Sequence, residues 1–555
     1  MNEPSTSIWK RQIIPELGVF RFFRWLFSWR MIRRYLFCLA CLVTLLALFY
    51  AEENWRGRHA WEKYKREAIA RGEQFNVSAF IPPTVPDDQN FAATPFFASL
   101  FDFKPGTQEA RDTNATRRFA EFQSHHYPSP AAAESKAPKA TPVNSWVRHQ
   151  PNLPFWYSEF VQSTNKVSHS ASDLALTNAS PQEAARDIMT ALAFANPVLD
   201  EIRTTSQRPA SRFNIRYEND DPAAILLPHL AGLKEITVIL QTRAFAELTL
   251  GQTNEAFDDL ILSLRMTDAL KDEPIIISQL VRSAQLNIAI LPIYQGLVDH
   301  QWTEPQLRAL QEKLEHFDFC NDGQRALQSE RVFFGGGIFE FLRHAPSNYK
   351  LLFFVSGAPD DQLGGNSISG QAIGFGMAIA PKGWSYFEQL NYTRTYGDLL
   401  LPIIDSENRR INPALCAKAD QQLGGELKRS PRKLFFHHQV FSALLLPALA
   451  NIVQKTARTQ TAADETVLAC ALERYRLAHG QFPETLDALM PQFISQLPHD
   501  VINGQSYHYR LTSDGQFVLY SVGWNETDDG GTVATTTTGS TDFKNGDWVW
   551  QYPTR

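Results

Sequence analysis

The chain is poor in cysteine, with only five in 555 residues. Cys38 and Cys41 lie inside an apolar run, where we interpret their C-x-x-C spacing as accidental. The other three, Cys320, Cys416 and Cys470, are an odd number, so a dense disulfide framework is excluded. Cys470 stands among alanine and leucine residues on a predicted helix, which indicates a buried structural thiol.

Short motifs of known enzyme classes are also lacking. The sequence has no G-x-x-x-x-G-K-[ST] phosphate loop, no H-E-x-x-H zinc motif and no G-x-S-x-G nucleophile elbow. Ser163–Lys166 fits S-x-x-K without its companion motifs. The doublet His437-His438 is weak as a metal site, because adjacent helical positions point about 100° apart. We expect one of these histidines to face solvent and the other to pack, and we predict no catalytic residue.

Long apolar runs are scarce, and only one approaches the length of a membrane span. Tyr35–Ala51 is uncharged and makes about 25 Å of helix against a hydrocarbon core of roughly 30 Å. Arg33 and Arg34 can snorkel to the headgroups. A single span excludes a polytopic transporter, and 44% hydrophobic residues exclude a wholly disordered chain. We predict an uncleaved single-pass anchor rather than a cleaved signal peptide, because no small-x-small cleavage site occurs there.

Positive charge is concentrated before this run. Residues 1–34 hold seven Lys/Arg against two Glu, a net of +5, whereas the whole chain carries −6. The positive-inside rule therefore predicts a cytoplasmic N-terminus and an extracytoplasmic C-terminal part, which is periplasmic in a Gram-negative cell. Membrane lipid is a predicted partner. Nucleic acid is not, because a duplex binder would carry positive charge on its large domain.

The predicted fold class is α+β, a mainly α-helical ectodomain on one N-terminal transmembrane helix, with a C-terminal long helix and a small antiparallel sheet. The stalk helix that continues the span is predicted to stop at Gly72. We divide the chain into a basic cytoplasmic segment (1–34), a transmembrane helix (35–51), a stalk helix and irregular segment (52–128), a Pro/Ala linker (129–144), a helical region with a Gly-rich loop (145–432) and a long helix with an α+β domain (433–555).

Apolar residues at helical spacing mark the helical region. One helix ends at Gly251 and another follows, and this pair resembles a single tetratricopeptide-type hairpin, with an ordinary helical hairpin as the alternative. A third apolar helix carries Arg282 and Asn287, which indicates burial in the core rather than a second span. Gly335–Gly337 are predicted to break the helical pattern, and Gly357–Gly383 to form a long surface loop.

The C-terminal part is predicted as one long helix, Lys433–His479, followed by a short helix from Pro483 and three strands. The strands are Ser506–Leu511, Gln516–Val522 and Asp547–Tyr552. A long helix against a small antiparallel sheet makes an α+β unit.

Within this part, Ala471–Pro483 (ALERYRLAHGQFP), Tyr507–Tyr509 and Phe517–Gly523 (FVLYSVG) place a helix, a G-x-[YF]-P turn and a strand ending in S-x-G in order. Over roughly Thr461–Tyr552 this order resembles the globular domain of the major pseudopilin of type II secretion. The upstream chain is similar to large membrane-anchored bacterial proteins that carry such a domain. No pseudopilin processing site precedes Lys433, so the resemblance implies a borrowed fold rather than polymerisation into a pseudopilus.

In that family the loop after the S-x-G strand commonly binds calcium. The matching segment here is Trp524–Gly531 (WNETDDGG). Ca²⁺ takes about six to eight oxygen ligands, and the resemblance implies that Asn525, Asp528, Asp529 and Asp547 supply several of them. The alternative is a solvated acidic turn.

These features predict a membrane-anchored extracytoplasmic assembly or binding protein without an evident catalytic site. Its protein partners would contact the helical hairpins or the C-terminal domain. Two alternatives stay open. One is a cell-envelope hydrolase, favoured if acids or histidines converge in a pocket near the Gly-rich loop, and the other is a component of a type II secretion-like machine.

Overall fold

The computed structural model describes residues 25, 27–104, 107, 109–130, 152–164, 180–217, 224–345, 375–427, 431–537 and 539–553. Most of the predicted basic segment, most of the predicted Pro/Ala linker and much of the predicted Gly-rich loop lie outside these residues.

The helices and strands follow one another in chain order. The helices are α1 (Trp29–Ala70), α2 (Pro95–Ala98), α3 (Thr113–Ser124), α4 (Leu153–Thr164), α5 (Pro181–Ala191), α6 (Asn196–Ser206), α7 (His229–Thr249), α8 (Thr253–Asp268), α9 (Ile276–Val298), α10 (Glu304–Glu315), α11 (Phe319–Glu330), α12 (Gly337–His344), α13 (Lys382–Leu399), α14 (Pro413–Leu427), α15 (Pro431–Phe436) and α16 (Val440–His479). The strands are β1 (Ile404–Asp405), β2 (Arg410–Ile411), β3 (His508–Leu511), β4 (Phe517–Ser521), β5 (Val533–Thr535), β6 (Thr541–Gly546) and β7 (Trp548–Gln551).

Helix α1 carries the predicted span and the predicted stalk without a break. It ends at Ala70, two residues before the predicted stop at Gly72, where the glycine takes φ 90° and the N–H groups of Gly72 and Glu73 donate to the carbonyls of Ile69 and Ala68. Among the described residues, α1, α9 and α16 are long and apolar enough to cross a membrane. None of the most apolar stretch of α1 is buried, against 61% in α9 and 56% in α16. Helix α1 is therefore the candidate anchor, and the prediction that α9 lies in the core is confirmed.

The middle of the chain is a bundle of helices. Helices α7 and α8 form the predicted hairpin, turning at Gly251 with φ 76°, and α9 packs against both. Helix α5 begins with a capping box, in which Ser180 and Glu183 each bond to the other's backbone N–H. Such local signals explain why the helix ends follow the sequence pattern here.

Within the described residues the strands form antiparallel sheets β1–β2, β3–β4–β7 and β5–β6. In the three-stranded sheet, Leu519 lies opposite both Tyr509 and Trp550. The predicted short helix from Pro483 is a 3₁₀ turn, Leu486–Leu489, and the pair β5–β6 is an addition to the predicted strands. A mostly helical chain with small antiparallel sheets is the α+β architecture that the sequence predicts.

The C-terminal strands complete the core of the helical bundle. One apolar cluster joins Leu286 of α9 to Leu468 of α16 and Trp550 of β7. The Tyr294 hydroxyl of α9 donates to the Gln551 carbonyl at 2.8 Å. The predicted boundary between residues 432 and 433 therefore does not separate two cores, and the burial of apolar surface stabilises both sides together.

The predicted helix Lys433–His479 is wrong near its start, because α15 and α16 are two helices. The chain turns at His437 and His438, where His438 has φ 54°, and α16 begins at Val440. The buried carboxyl group of Glu388 in α13 accepts the first two N–H groups of α16 at 3.1 and 3.2 Å, which caps the new helix. Burial raises the pKa of Glu388 to about 8.

The histidine doublet lies in this turn rather than on a helix. His437 is exposed, and His438 packs against the rings of Trp384 and Phe387, whose centroids are 4.9 and 5.1 Å from its own. Burial lowers the pKa of His438 to about 4, so its ring is neutral at neutral pH. One histidine therefore faces solvent and one is packed, as expected.

Gly335–Gly337 do not break the helical pattern, which corrects the prediction. Arg331–Gly336 form a π-helix that joins α11 to α12. A Cβ on Gly335 would lie 2.3 Å from the ring of Tyr392 in α13. Glycine is needed at this position because it lets α13 approach the π-helix closely.

Candidate functional site

The candidate site is a polar cavity where the end of α1 meets α13 and the π-helix, and we call it the junction cavity. Its volume is about 380 Å³. It is lined by Tyr64, Glu67, Arg71, Glu73, Arg331, Arg394, Gly397, Asp398 and Leu401. Three arginines and three carboxylates border one space, which suits a polar or charged ligand group.

The last turns of α1 supply three of these side chains. Tyr64, Glu67 and Arg71 are spaced by three and four residues, which places them on one face of the helix. The left-handed turn at Gly72 then reverses the chain and brings Glu73 back beside that face. The sequence predicts this helix end but not the helix that packs against it.

Arg331 reaches the cavity from the first position of the π-helix, and its side chain is only 4% exposed. A π-turn adds one residue to a helical turn and often occurs at functional positions. Arg394 and Asp398 lie one turn apart on α13 and are exposed. A Cβ on Gly397 would lie 3.2 Å from Nη1 of Arg331. A buried and an exposed arginine therefore border the same space.

Glu73 holds two of the arginines. Its Oε1 accepts from Arg71 at 2.7 Å, and its Oε2 accepts from Arg331 at 2.8 Å. Burial raises the pKa of Glu73, but the hydrogen bonds and charges of the two arginines lower it by more, so this pKa lies below its usual value. Glu73 is charged at neutral pH and offsets only one of the two positive charges.

The exposed guanidinium group of Arg394 can donate hydrogen bonds to a ligand. Within the described residues, Arg394 makes no ion pair, whereas the Nε of Arg331 has no hydrogen-bond partner but is buried. The guanidinium of Arg394 lies 5.5 Å from the centre of the Tyr64 ring, and that of Arg71 lies 6.0 Å from it. Arginine binds carboxylate and phosphate groups through paired N–H donors. Through Arg394 the junction cavity can therefore bind an anionic group, while the carboxylates of Glu67 and Asp398 also border the space.

The hydrolase alternative requires acids or histidines in a pocket near the predicted Gly-rich loop. The described end of that loop borders a small cavity of about 30 Å³ between α12, α13 and α16. The described lining of this cavity includes Arg343 and Lys382 but no aspartate, glutamate or histidine. These residues give no support to a hydrolytic pocket at this place.

The four predicted calcium ligands lie between β4 and β7, and their oxygens accept hydrogen bonds from the protein itself. Asp547 is buried and accepts backbone N–H groups from Asp529, Gly531 and Thr532 at 3.2, 2.7 and 3.3 Å. The side-chain amide of Asn525 donates to Asp529 at 2.9 Å. These bonds close the loop around Asp547.

Asp528 has a different set of partners. It accepts the N–H of Gly530 at 2.9 Å and the hydroxyl of Tyr520 at 3.1 Å, and His508 lies 3.5 Å away. In the part of the chain that the structure describes, no group of three or more His, Cys, Asp or Glu side chains is placed to hold a metal. Calcium binding by this loop stays a prediction from the sequence.

We expect the variant Asp547→Ala to lose about 2 kcal/mol of unfolding free energy, because three backbone N–H groups lose a charged acceptor. The measurement is thermal unfolding of the full chain in detergent. Asp529→Ala is the matched control, since Asp529 is exposed and accepts one side-chain amide, and it should unfold like the natural chain. Equal losses in the two variants would contradict the role given to Asp547.

The same measurement tests the calcium prediction. A bound ion stabilises the folded state, so calcium should raise the unfolding midpoint of the natural chain relative to excess chelator. The double variant Asp528→Asn/Asp529→Asn should show no such rise. Equal midpoints of the natural chain in calcium and in chelator would rule the site out.

No protein-family model matches this chain, and neither does any curated protein or solved structure. The resemblance of the C-terminal part to the pseudopilin domain therefore stays a prediction, as does a role in a type II secretion-like machine.

The five cysteines are the remaining candidates from the sequence, and none of them lines the junction cavity. Cys470 is buried, as predicted, and so are Cys320 and Cys416. Cys38 and Cys41 are exposed on the span of α1.

Sequence reasoning did not find the junction cavity. Its residues come from three separate stretches of chain. Arg331 lies in a helical pattern, and no neighbouring residue in the sequence indicates that it borders a cavity. The available signal is the run Gly335–Gly337, whose glycines predict a helix break from the sequence but mark a close helix contact in the structure.

Proposed function

We propose that this protein is a membrane-anchored, extracytoplasmic binding protein whose junction cavity holds an anionic group of a soluble partner. The observation that carries the proposal is the pair Arg331 and Arg394, whose guanidinium groups border one open cavity. The basic residues before the span support a cytoplasmic N-terminus and hence an extracytoplasmic cavity.

The distance along α1 supports a soluble partner rather than a lipid headgroup. Tyr64 follows Tyr50, near the end of the span, by about 20 Å of helix at 1.5 Å per residue. The headgroup region on one side of a bilayer is only about 5–8 Å thick. The cavity therefore stands clear of the membrane surface.

The contact between α1 and α13 holds the cavity in a fixed position relative to the span. The two helices cross at Gly57 and Gly383, where a Cβ on Gly57 would lie 2.1 Å from the Gly383 carbonyl oxygen. The Gly383 N–H donates to Asn54 at 2.7 Å, and the Trp384 indole N–H donates to Glu53 at 2.9 Å. A continuous helix packed in this way presents a binding site at a set height above the bilayer.

The test is binding of a fluorescein-labelled tetraglutamate peptide to the full chain in detergent micelles, followed by fluorescence anisotropy. We expect Arg394→Gln to weaken binding about tenfold, because a charge-assisted hydrogen bond to the carboxylate is lost. Added salt should also weaken binding to the natural chain, because Arg394 is exposed and its charge is screened.

Arg308→Gln is the matched control for this experiment. Arg308 is an exposed arginine on α10 that pairs with Glu304 and does not line the cavity, so its replacement should leave the affinity unchanged. The proposal fails if the natural chain does not bind the peptide, or if Arg394→Gln binds it as tightly as the natural chain does.

A further inference from the structure

Beside the end of the span, the folded part of the chain exposes three large apolar side chains. Phe375 and Ile379 lie on one helical turn before α13, and Phe436 is the last residue of α15. Their exposed fractions are 60%, 54% and 57%. We call these three residues the apolar rim. Large apolar side chains that are grouped and exposed mark contact surfaces in soluble and membrane proteins alike.

Hydrogen bonds fix the height of the rim along α1. The Tyr50 hydroxyl, near the end of the uncharged run, donates to the carbonyl of Ile379. Three residues further along α1, Glu53 accepts from the indole of Trp384 at 2.9 Å. The ring of Trp384 in turn lies 6.2 Å from that of Phe436, centre to centre. The rim is therefore level with the residues at which α1 leaves the predicted span.

The two parts of the rim are joined to each other as well as to α1. A Cβ on Gly376 would lie 2.8 Å from the ring of Phe435, so the turn that carries Phe375 rests on the turn that carries Phe436. The rings of Phe435 and Trp384 are 5.2 Å apart. The rim is thus a connected surface rather than three separate side chains.

We infer that the apolar rim enters the headgroup and upper acyl region of the leaflet from which α1 emerges, as a second membrane contact. This inference rests on the proposed anchoring by α1. Continuity with the span identifies lipid as the occupant, because the side chains of Leu46 and Phe49 on α1 are exposed in the same way and the rim adjoins Tyr50. Apolar side chains at this depth exchange contact with water for contact with acyl chains.

Neighbouring residues have the composition of a membrane interface. Trp55 is exposed on α1 about one turn beyond the span, and tyrosine and tryptophan are enriched at the boundary between headgroups and acyl chains. Lys382 is exposed at the start of α13 and can direct its ammonium group toward the headgroups. A second contact beside α1 would limit tilting of the folded part and keep the junction cavity at a constant height.

The experiment places a single environment-sensitive NBD label at chosen positions of the full chain. The background is Cys38→Ala/Cys41→Ala, because the other three cysteines are buried. Labels are placed at Ile379→Cys and Phe436→Cys in the rim and at Leu46→Cys in the span. Each variant is reconstituted in phosphatidylcholine vesicles with and without lipid that carries a doxyl quencher high on the acyl chain.

Leu511→Cys is the control for a label outside the membrane. Leu511 is exposed on β3, whose Tyr509 bonds to Pro483 just beyond the C-terminal end of α16. The rim lies near the opposite end of α16, which is about 60 Å long. We expect doxyl lipid to lower the fluorescence of the Ile379 and Phe436 labels about twofold, close to its effect on the Leu46 label, and to leave the Leu511 label unchanged.

Three results would overturn the inference. If the rim labels behave like Leu511 while the Leu46 label is quenched, the anchor is in the bilayer but the rim is not. If the Leu46 label is also unquenched, the membrane anchoring itself fails, and the proposed function fails with it. If the rim labels shift to the blue without quenching, protein covers the rim instead of lipid, as it would between two copies of the chain.

Discussion

The variant Gly383→Ala should lower the free energy of unfolding by about 3 kcal/mol. The added Cβ would lie 1.9 Å from the carbonyl oxygen of Glu53 and 2.8 Å from the Cα of Asn54. Both are backbone atoms of α1, which cannot move aside unless the two helices separate. Overpacking of this kind costs about 1–3 kcal/mol, and loss of the hydrogen bonds across the crossing adds about 0.5–1.5 kcal/mol each. The measurement is denaturant unfolding of the full chain in detergent.

Gly424→Ala provides the matched control for the helix crossing. Gly424 lies in α14, and a Cβ at that position meets no atom within 4 Å. The same chemical change should there stabilise the chain by about 0.5–1 kcal/mol, because alanine loses less conformational entropy than glycine in a helix. If Gly383→Ala proved as stable as Gly424→Ala, α1 and α13 would not be in close contact.

The variant Arg282→Leu should cost about 3–5 kcal/mol of unfolding free energy. Arg282 is fully buried in α9 and donates from Nη1 to Asp322 at 2.7 Å. Its guanidinium also lies over the rings of Phe317 and Phe319, at 5.4 and 4.5 Å from their centres. Leucine would leave the carboxylate of Asp322 buried without its counter-charge, and this unpaired charge is the source of the loss.

The loss should become smaller as the pH falls. Burial raises the pKa of Asp322, and Arg282 opposes that rise. Without the arginine the folded-state pKa rises further above the unfolded value. The folded state of the variant then takes up a proton more readily than the unfolded state, and the variant gains stability relative to the natural chain on acidification. Unfolding curves at neutral and mildly acidic pH measure this difference.

Two further variants control for the buried ion pair. The double variant Arg282→Leu/Asp322→Leu should recover most of the loss, because an apolar pair can replace a buried ion pair at little cost. Lys104→Leu breaks an exposed pair with Glu109, 2.9 Å long, and should cost less than about 1 kcal/mol. An Arg282→Leu variant no less stable than Lys104→Leu would show that the buried pair does not stabilise the fold.

One part of the junction cavity, the end of α1, could be predicted from the sequence. Gly72 predicts the end of α1 from the sequence, because glycine is common just after the last turn of a helix. This turn sets the position of Glu73 beside the last turn of α1. The acidic loop is similar in this respect, because Asp528 and Asp529 are adjacent in the chain and are predicted together. The role of Asp547, as the acceptor of three backbone N–H groups, became evident only from the folded loop.

The sequence by itself determined the features that depend on neighbouring residues. The uncharged run Tyr35–Ala51 is helical as predicted, and the helix ends at Gly72 and Gly251 and the strands β3, β4 and β7 lie within two residues of their predicted positions. Hydrophobic periodicity and glycine at left-handed turns act over a few residues of chain, so their effect on the backbone can be read directly.

Only the tertiary structure decided where distant residues meet. Glu388 of α13 caps the start of α16 just after the turn at His437 and His438, where the long helix predicted from the sequence divides into two. Nothing in the local sequence distinguishes Gly383 and Arg331 from other residues of their helices, and their roles arise from contact with α1 and the residue that follows it, Glu73. Close packing and hydrogen bonding act over a few ångströms in space, whatever the separation along the chain, and a local pattern carries no information about those distances.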